Sequence, residues 1–89
     1  MDWNKYGRVL ASRRRTAVVK VLSKRNTTPK EISVIAKIPL SHISNLLREL
    51  TEDGLTICLT PKLKRGRIYA LTEAGKDVAA ELTRKANGA

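Results

Sequence analysis

The chain has 89 residues, one cysteine and one histidine, and its 18 Lys and Arg against 8 Asp and Glu give a formal net charge of +10. A chain of this length supports one small hydrophobic core, hence one domain over residues 1–89, and the lone Cys58 excludes both an internal disulfide and a cysteine-cluster metal centre. His42 has no second imidazole with which to share a metal, and the apolar runs are too short for a signal peptide or a membrane span; a cytoplasmic protein without metal, cofactor or membrane partner is expected.

The charge itself points to a partner, because an excess of this sign gathers polyanions, of which nucleic acid is the commonest inside cells. It is also unevenly spread. Over residues 1–30, Lys5, Arg8, Arg13, Arg14, Arg15, Lys20, Lys24, Arg25 and Lys30 are opposed only by Asp2. Lys62, Lys64, Arg65 and Arg67 form a second group without an acid, whereas Glu49, Glu52 and Asp53 make residues 49–53 acidic. Such focusing favours a docking face over charge kept for solubility.

In chain order, the first predicted helix covers residues 9–24, where Val18, Val19, Val21 and Leu22 lie in a stretch free of Gly and Pro, and it ends near Arg25 and Asn26. Gly7 weakens continuation upstream, leaving Trp3 and Tyr6 to pack against the domain. A sharp start follows at "TTPKEI". Thr28 is placed to cap a second helix, Pro29 to occupy its first position and Glu31 to close a capping box on the Thr28 amide. Ile32, Ile35 and Ala36 form the expected buried edge, and Pro39 limits the length. Val34 is turned about 200° from Ile32; it is either an ordinary exposed valine or a contact for the N-terminal segment or a second subunit.

The third helix, over residues 40–52, carries Ile43, Leu46, Leu47 and Leu50 at core-facing spacing, and Gly54 stands where a left-handed residue ends it. "LTICL" then alternates Leu55, Ile57 and Leu59 with Thr56 and Cys58, a strand pattern that puts Cys58 outward. "TPKLKRG" is a basic turn. "RIYAL" is a second strand with Tyr69 and Leu71 inward, and the loop of about six or seven residues exceeds a tight hairpin turn. Thr72 caps a last helix over about residues 73–86, lined by Val78, Ala79 and Leu82; this edge packs on the first helix or meets its counterpart in a dimer. Residues 84–89, "RKANGA", are expected to fray.

This order is that of a winged helix-turn-helix: an α+β, mainly α fold with a three-helix core, a two-stranded wing hairpin and a C-terminal helix. The residues "TPKEISVIAKIPLSHISNLLRELTEDGL" resemble the DNA-binding core of small MarR-like and ArsR-like winged-helix regulators, particularly archaeal single-domain ones. "CLTPKLKRGRIYALTEAGK" is similar to their wing and its lead into the last helix, and the resemblance covers about residues 9–77. It implies that residues 40–52 are a recognition helix for the major groove and residues 61–66 the wing.

Helical geometry agrees on the first point. At about 100° per residue, Ser41, Asn45, Arg48 and Glu52 fall opposite the apolar stripe, with His42 and Ser44 on either side. Asn pairs bidentately with adenine, Arg with guanine, and Ser or His with bases or phosphates. Three positions depart from the family pattern. Lys37 stands where Gly is usual, at about 1 kcal/mol if the backbone is left-handed there. Pro39 replaces a Ser or Thr cap, so that either Pro39 begins the helix as its first residue or Ser41 caps it later. Leu40 replaces an often polar or basic residue, removing one phosphate contact.

A solvated helix face is the plain alternative for Ser41, Asn45 and Arg48, as is a soluble hairpin tip for Lys62, Lys64, Arg65 and Arg67; fold order and net charge favour nucleic-acid contact for both groups. Arg13, Arg14 and Arg15 span about 200° of a helix, so one or two reach phosphates and at least one is solvated or paired within the protein. No nucleophile with a positioned base, no catalytic pair of acids and no phosphate-cradling glycine loop points to an enzyme. The expected protein is a sequence-specific regulator of double-stranded DNA, homodimeric through the C-terminal helix or N-terminal segment. The alternatives are a low-specificity chromatin- or RNA-associated winged helix and a winged-helix protein-interaction module.

Overall fold

The computed structural model describes residues 1–87, which form α1 (Trp3–Leu10), α2 (Arg13–Lys24), α3 (Pro29–Ala36), α4 (Leu40–Glu52), β1 (Thr56–Cys58), β2 (Tyr69–Leu71) and α5 (Glu73–Asn87). Gly88 and Ala89 of the stretch expected to fray lie outside the described residues, while Arg84–Asn87 continue α5. The two strands pair antiparallel, and the whole is the mainly helical winged-helix architecture.

The expected single helix over residues 9–24 is two helices. Asp2 caps α1, its carboxylate accepting from the Asn4 and Lys5 amides at 3.0 and 3.2 Å. At Ser12 the backbone leaves helical angles, and its hydroxyl accepts from the Arg15 amide at 3.2 Å to start α2. Thr16 Oγ1 then donates to the Val9 carbonyl at 2.9 Å, pinning α1 onto the beginning of α2. Tyr6 and Val9 enter the core through this corner, whereas Trp3 remains 62% exposed with its ring edge-on to Tyr6. The central element is α2, which packs against α1, α3, α4, α5 and β2 and buries Val18, Val19, Val21 and Leu22.

Thr28 caps α3 as expected, accepting from the Glu31 amide at 3.3 Å. The reciprocal half of the capping box does not form. The Glu31 carboxylate takes hydrogen bonds from Thr27 Oγ1 and the Arg25 guanidinium instead, because a charged donor and a positioned hydroxyl outcompete the Thr28 amide. Thr27 is positioned by a backbone bridge to Tyr69, 3.2 and 2.8 Å in the two directions. Ile35 is also corrected: it is 48% exposed, while Ile38, past the turn, joins Ile32 in the core.

The turn into α4 keeps its shape despite the missing glycine. Lys37 adopts φ 58°, ψ 43°, and the Ser33–Ile38 pair closes the turn, the Ile38 amide donating to the Ser33 carbonyl at 3.2 Å and Ser33 Oγ returning a bond to the Ile38 carbonyl. Neither alternative for the start of α4 holds. Pro39 is itself the cap residue, without a side-chain bond, and its carbonyl accepts from the His42 and Ile43 amides at 3.0 and 3.1 Å. Leu40 is therefore the first helical residue, and the Ser41 hydroxyl is not used for capping. Gly54, at φ 76°, ends α4 as expected; the Leu55 amide reaches back to the Leu50 carbonyl at 2.9 Å.

That ending resets the strand that follows. Leu55 is buried as part of the helix stop, so β1 begins at Thr56 with Thr56 inward, Ile57 and Leu59 about half exposed and Cys58 half-buried rather than outward. Buried Thr56 is satisfied by Thr51, Oγ1 to Oγ1 at 2.8 Å. The strands pair Thr56 with Leu71 and Cys58 with Tyr69, and the wing loop runs from Leu59 to Ile68, longer than expected because β2 begins only at Tyr69. Thr72 closes the structure, its hydroxyl accepting from the Gly75 amide at 3.1 Å and donating to the Gly54 carbonyl at 2.6 Å. Val78, Ala79 and Leu82 are buried as α5 packs on α1, α2 and β2.

Candidate nucleic-acid interface

Helix α4 buries Ile43, Leu47 and Leu50 and turns Ser41, His42, Ser44, Asn45 and Arg48 to solvent. The same periodicity that holds the helix on the core thus presents its polar line as one continuous surface. The first turn is rigidly started by the Pro39 carbonyl, so Ser41 projects with a free hydroxyl near the helix N-terminus. His42 is not alone: Arg14 Nη1 donates to its Nδ1 at 2.6 Å, a contact that leaves Nε2 to carry the imidazole proton outward.

The three consecutive arginines of α2 separate as their spacing requires. Arg14 reaches α4 through His42, Arg15 forms an ion pair with Glu49, and Arg13 is exposed. The acids at residues 49–53 are largely answered from within the protein. Glu49 is held by Arg15, and Asp53 accepts from Arg8 on α1 at 3.2 Å. Glu49 lies in the last turns of α4 and Asp53 just past its end, so the beginning of the helix keeps its positive surroundings.

On the wing, Lys62, Lys64, Arg65 and Arg67 are all exposed, and Gly66 turns the loop at φ 67°. Arg67 folds its guanidinium Nε onto the Leu63 carbonyl, giving the tip a fixed crossing. Between wing and helices runs an open groove of about 570 Å³, bounded by Thr28, Pro29 and Lys30 at the start of α3, by Leu40, Ser44 and Leu47 of α4, and by Lys64–Arg67 and Tyr69 of the wing. No acid lines it. The fold brings Ser44 together with Lys64, Arg65 and Arg67 there; Ser41, His42, Asn45 and Arg48 lie on α4 outside its walls, and Lys62 stands apart at the loop.

Lys30 and Leu40 are interface candidates that sequence reasoning missed. Lys30 was visible as one cation among many, but only the Thr27–Tyr69 bridge places the start of α3 beside the wing. Among the described residues no group of three or more His, Cys, Asp or Glu side chains is arranged to hold a metal, and no helix is long and apolar enough to cross a membrane.

A helix-turn-helix with an exposed polar second helix, flanked by a cationic hairpin, defines the winged-helix class. Solved structures place it more narrowly, in the fold of MarR family regulators. NMB1585, a MarR family regulator from Neisseria meningitidis, aligns with a TM-score of 0.81 at 28% identity over 92% of this chain and 59% of its own. A variant of ZitR from Lactococcus lactis aligns at 0.77 and 22% identity over 86% of this chain and 53% of its own. The adhesin competence repressor AdcR from Streptococcus pyogenes gives 0.77 and 17% over 86% and 58%. This chain therefore spans between half and three fifths of the length of these relatives. No protein-family model and no curated protein sequence matches it.

Proposed function

We propose that the protein is a sequence-specific double-stranded DNA-binding transcriptional regulator that acts in the cytoplasm as a homodimer and not as an enzyme. The observation that carries this reading is the acid-free groove between α4 and the wing, walled by Lys30, Lys64, Arg65 and Arg67, beside a helix that exposes Ser41, Asn45 and Arg48 on its neighbouring side. Its cationic lining suits a sugar-phosphate strand running beside a helix seated in the major groove. Asn45 and Arg48 then face base edges, with Ser41, Ser44 and His42 supplying further contacts to bases or nearby phosphates. Lys62, Lys64, Arg65 and Arg67 neutralise phosphates or enter the minor groove, displacing condensed cations. Arg13 and Arg14 supply weaker backbone contacts, while Arg15 is committed to Glu49. The MarR family similarity of NMB1585 supports the same reading.

Duplex binding measured across a salt series tests it. Affinity is expected to fall log-linearly with salt, each phosphate contact adding about 0.9 to the slope, and a selected sequence is expected to outcompete random duplex at fixed salt. Absence of duplex binding at low salt overturns the proposal. Equal affinity for selected and random duplex, or preference for RNA, replaces it with the low-specificity reading.

A further inference from the structure

We propose that Leu40 is a specificity-determining residue that recognises the 5-methyl group of a thymine in the major groove. The inference rests on the duplex-DNA reading above and adds to it a contact of a different chemistry. Leu40 is the first helical residue of α4 and is 47% exposed, whereas Leu47 and Leu50 of the same helix are each 1% exposed. It thus contributes little to the core. It borders the cationic groove together with Lys30, Lys64 and Arg65, and Ser44 lies one turn further along the same side of the helix.

Placement and chemistry converge on one base. Residues at the start of a recognition helix are those that reach base edges, and Leu40 is held there by Pro39, whose carbonyl is bonded to the His42 and Ile43 amides. A leucine side chain can neither donate to nor accept from a base or a phosphate. Of the groups that the four base pairs show in the major groove, the thymine methyl is the apolar one. That methyl stands toward the edge of the groove, on the side of its own strand's phosphates. A side chain flanked by phosphate-seeking cations is therefore where the methyl is met. Cytosine at the same step leaves Leu40 against a bare C5–H and a loose contact.

The test begins with the duplex that the 89-residue chain selects from a random pool. Each thymine of that site is replaced in turn by deoxyuridine, which removes only the methyl and keeps base pairing, and affinity is measured at fixed salt for wild type and Leu40→Ala. At one thymine of each half-site the replacement is expected to weaken wild-type binding about fourfold, the equivalent of one buried methyl. Leu40→Ala is expected to bind the thymine and deoxyuridine duplexes alike, and Leu40→Asn to change the preferred base at that step, with circular dichroism confirming that both variants fold. Retained discrimination in Leu40→Ala, or a selected site in which every thymine is replaceable without loss, overturns the inference and leaves the regulator reading standing. No duplex binding at low salt removes both.

Discussion

Lys37 shows how far one side chain can depart from a local rule without changing the turn around it. Its left-handed backbone is held by the Ser33–Ile38 hydrogen bonds, so the strain is carried by tertiary and turn contacts and is not relieved by rearrangement. Lys37→Gly is accordingly expected to raise unfolding free energy by about 1 kcal/mol, measured by denaturant titration, with unchanged circular dichroism. An unchanged or lowered midpoint contradicts the strain. Asn45, by contrast, carries no structural duty that its exposure reveals. Asn45→Ala is expected to leave stability within about 0.5 kcal/mol and to relax base preference at one step by about 1–3 kcal/mol. A uniform loss across all sequences instead assigns Asn45 to backbone contact.

At the scale of elements, the wing and the start of α5 have separable roles. The wing is cationic and largely out of the core, so Lys64→Ala is expected to lower the salt slope of duplex binding by about one contact on every sequence, while thermal stability is unchanged. A change confined to one sequence counts against a phosphate role. The junction of β2 and α5 is the opposite case. A Cβ on Gly75 lies 2.0 Å from the Leu55 carbonyl oxygen, so the helix approaches the end of α4 as only glycine permits. Gly75→Ala is expected to destabilise by about 3 kcal/mol, read from the denaturation midpoint. Wild-type stability in that variant denies the close approach.

At the scale of the whole molecule, capping signals were legible because they are local: Thr28, Gly54 and Thr72 act within a few residues of themselves. Ser12 obeys the same rule, yet its start signal is masked by arginines and valines that suit one unbroken helix. Strand parity was misread for a related reason. Leu55 carries the hydrophobic pattern of a strand, but it belongs to the stop of α4, and this one-residue offset turns Thr56 inward and Ile57 outward. Assembly belongs to this scale too. Sedimentation is expected to return twice the chain mass, and the emission of Trp3, exposed on α1, to move to shorter wavelength with concentration if the N-terminal helix joins the interface. A single-chain mass at binding concentrations overturns the homodimer.

By itself the sequence determined the element order from α2 onward, the polar line of Ser41, Asn45 and Arg48 opposite an apolar stripe, and the cationic wing, because helical period, caps and charge clusters are written in neighbouring residues. Only tertiary structure decided that Arg15 is spent on Glu49, that Arg14 leans on His42, and that Lys30 and Leu40 share a groove with Lys64 and Arg65. Those outcomes depend on which distant surfaces the core brings into contact. The bridge from Thr27 to Tyr69, across residues far apart in the chain, is the link that sets the start of α3 against the wing and so shapes the groove.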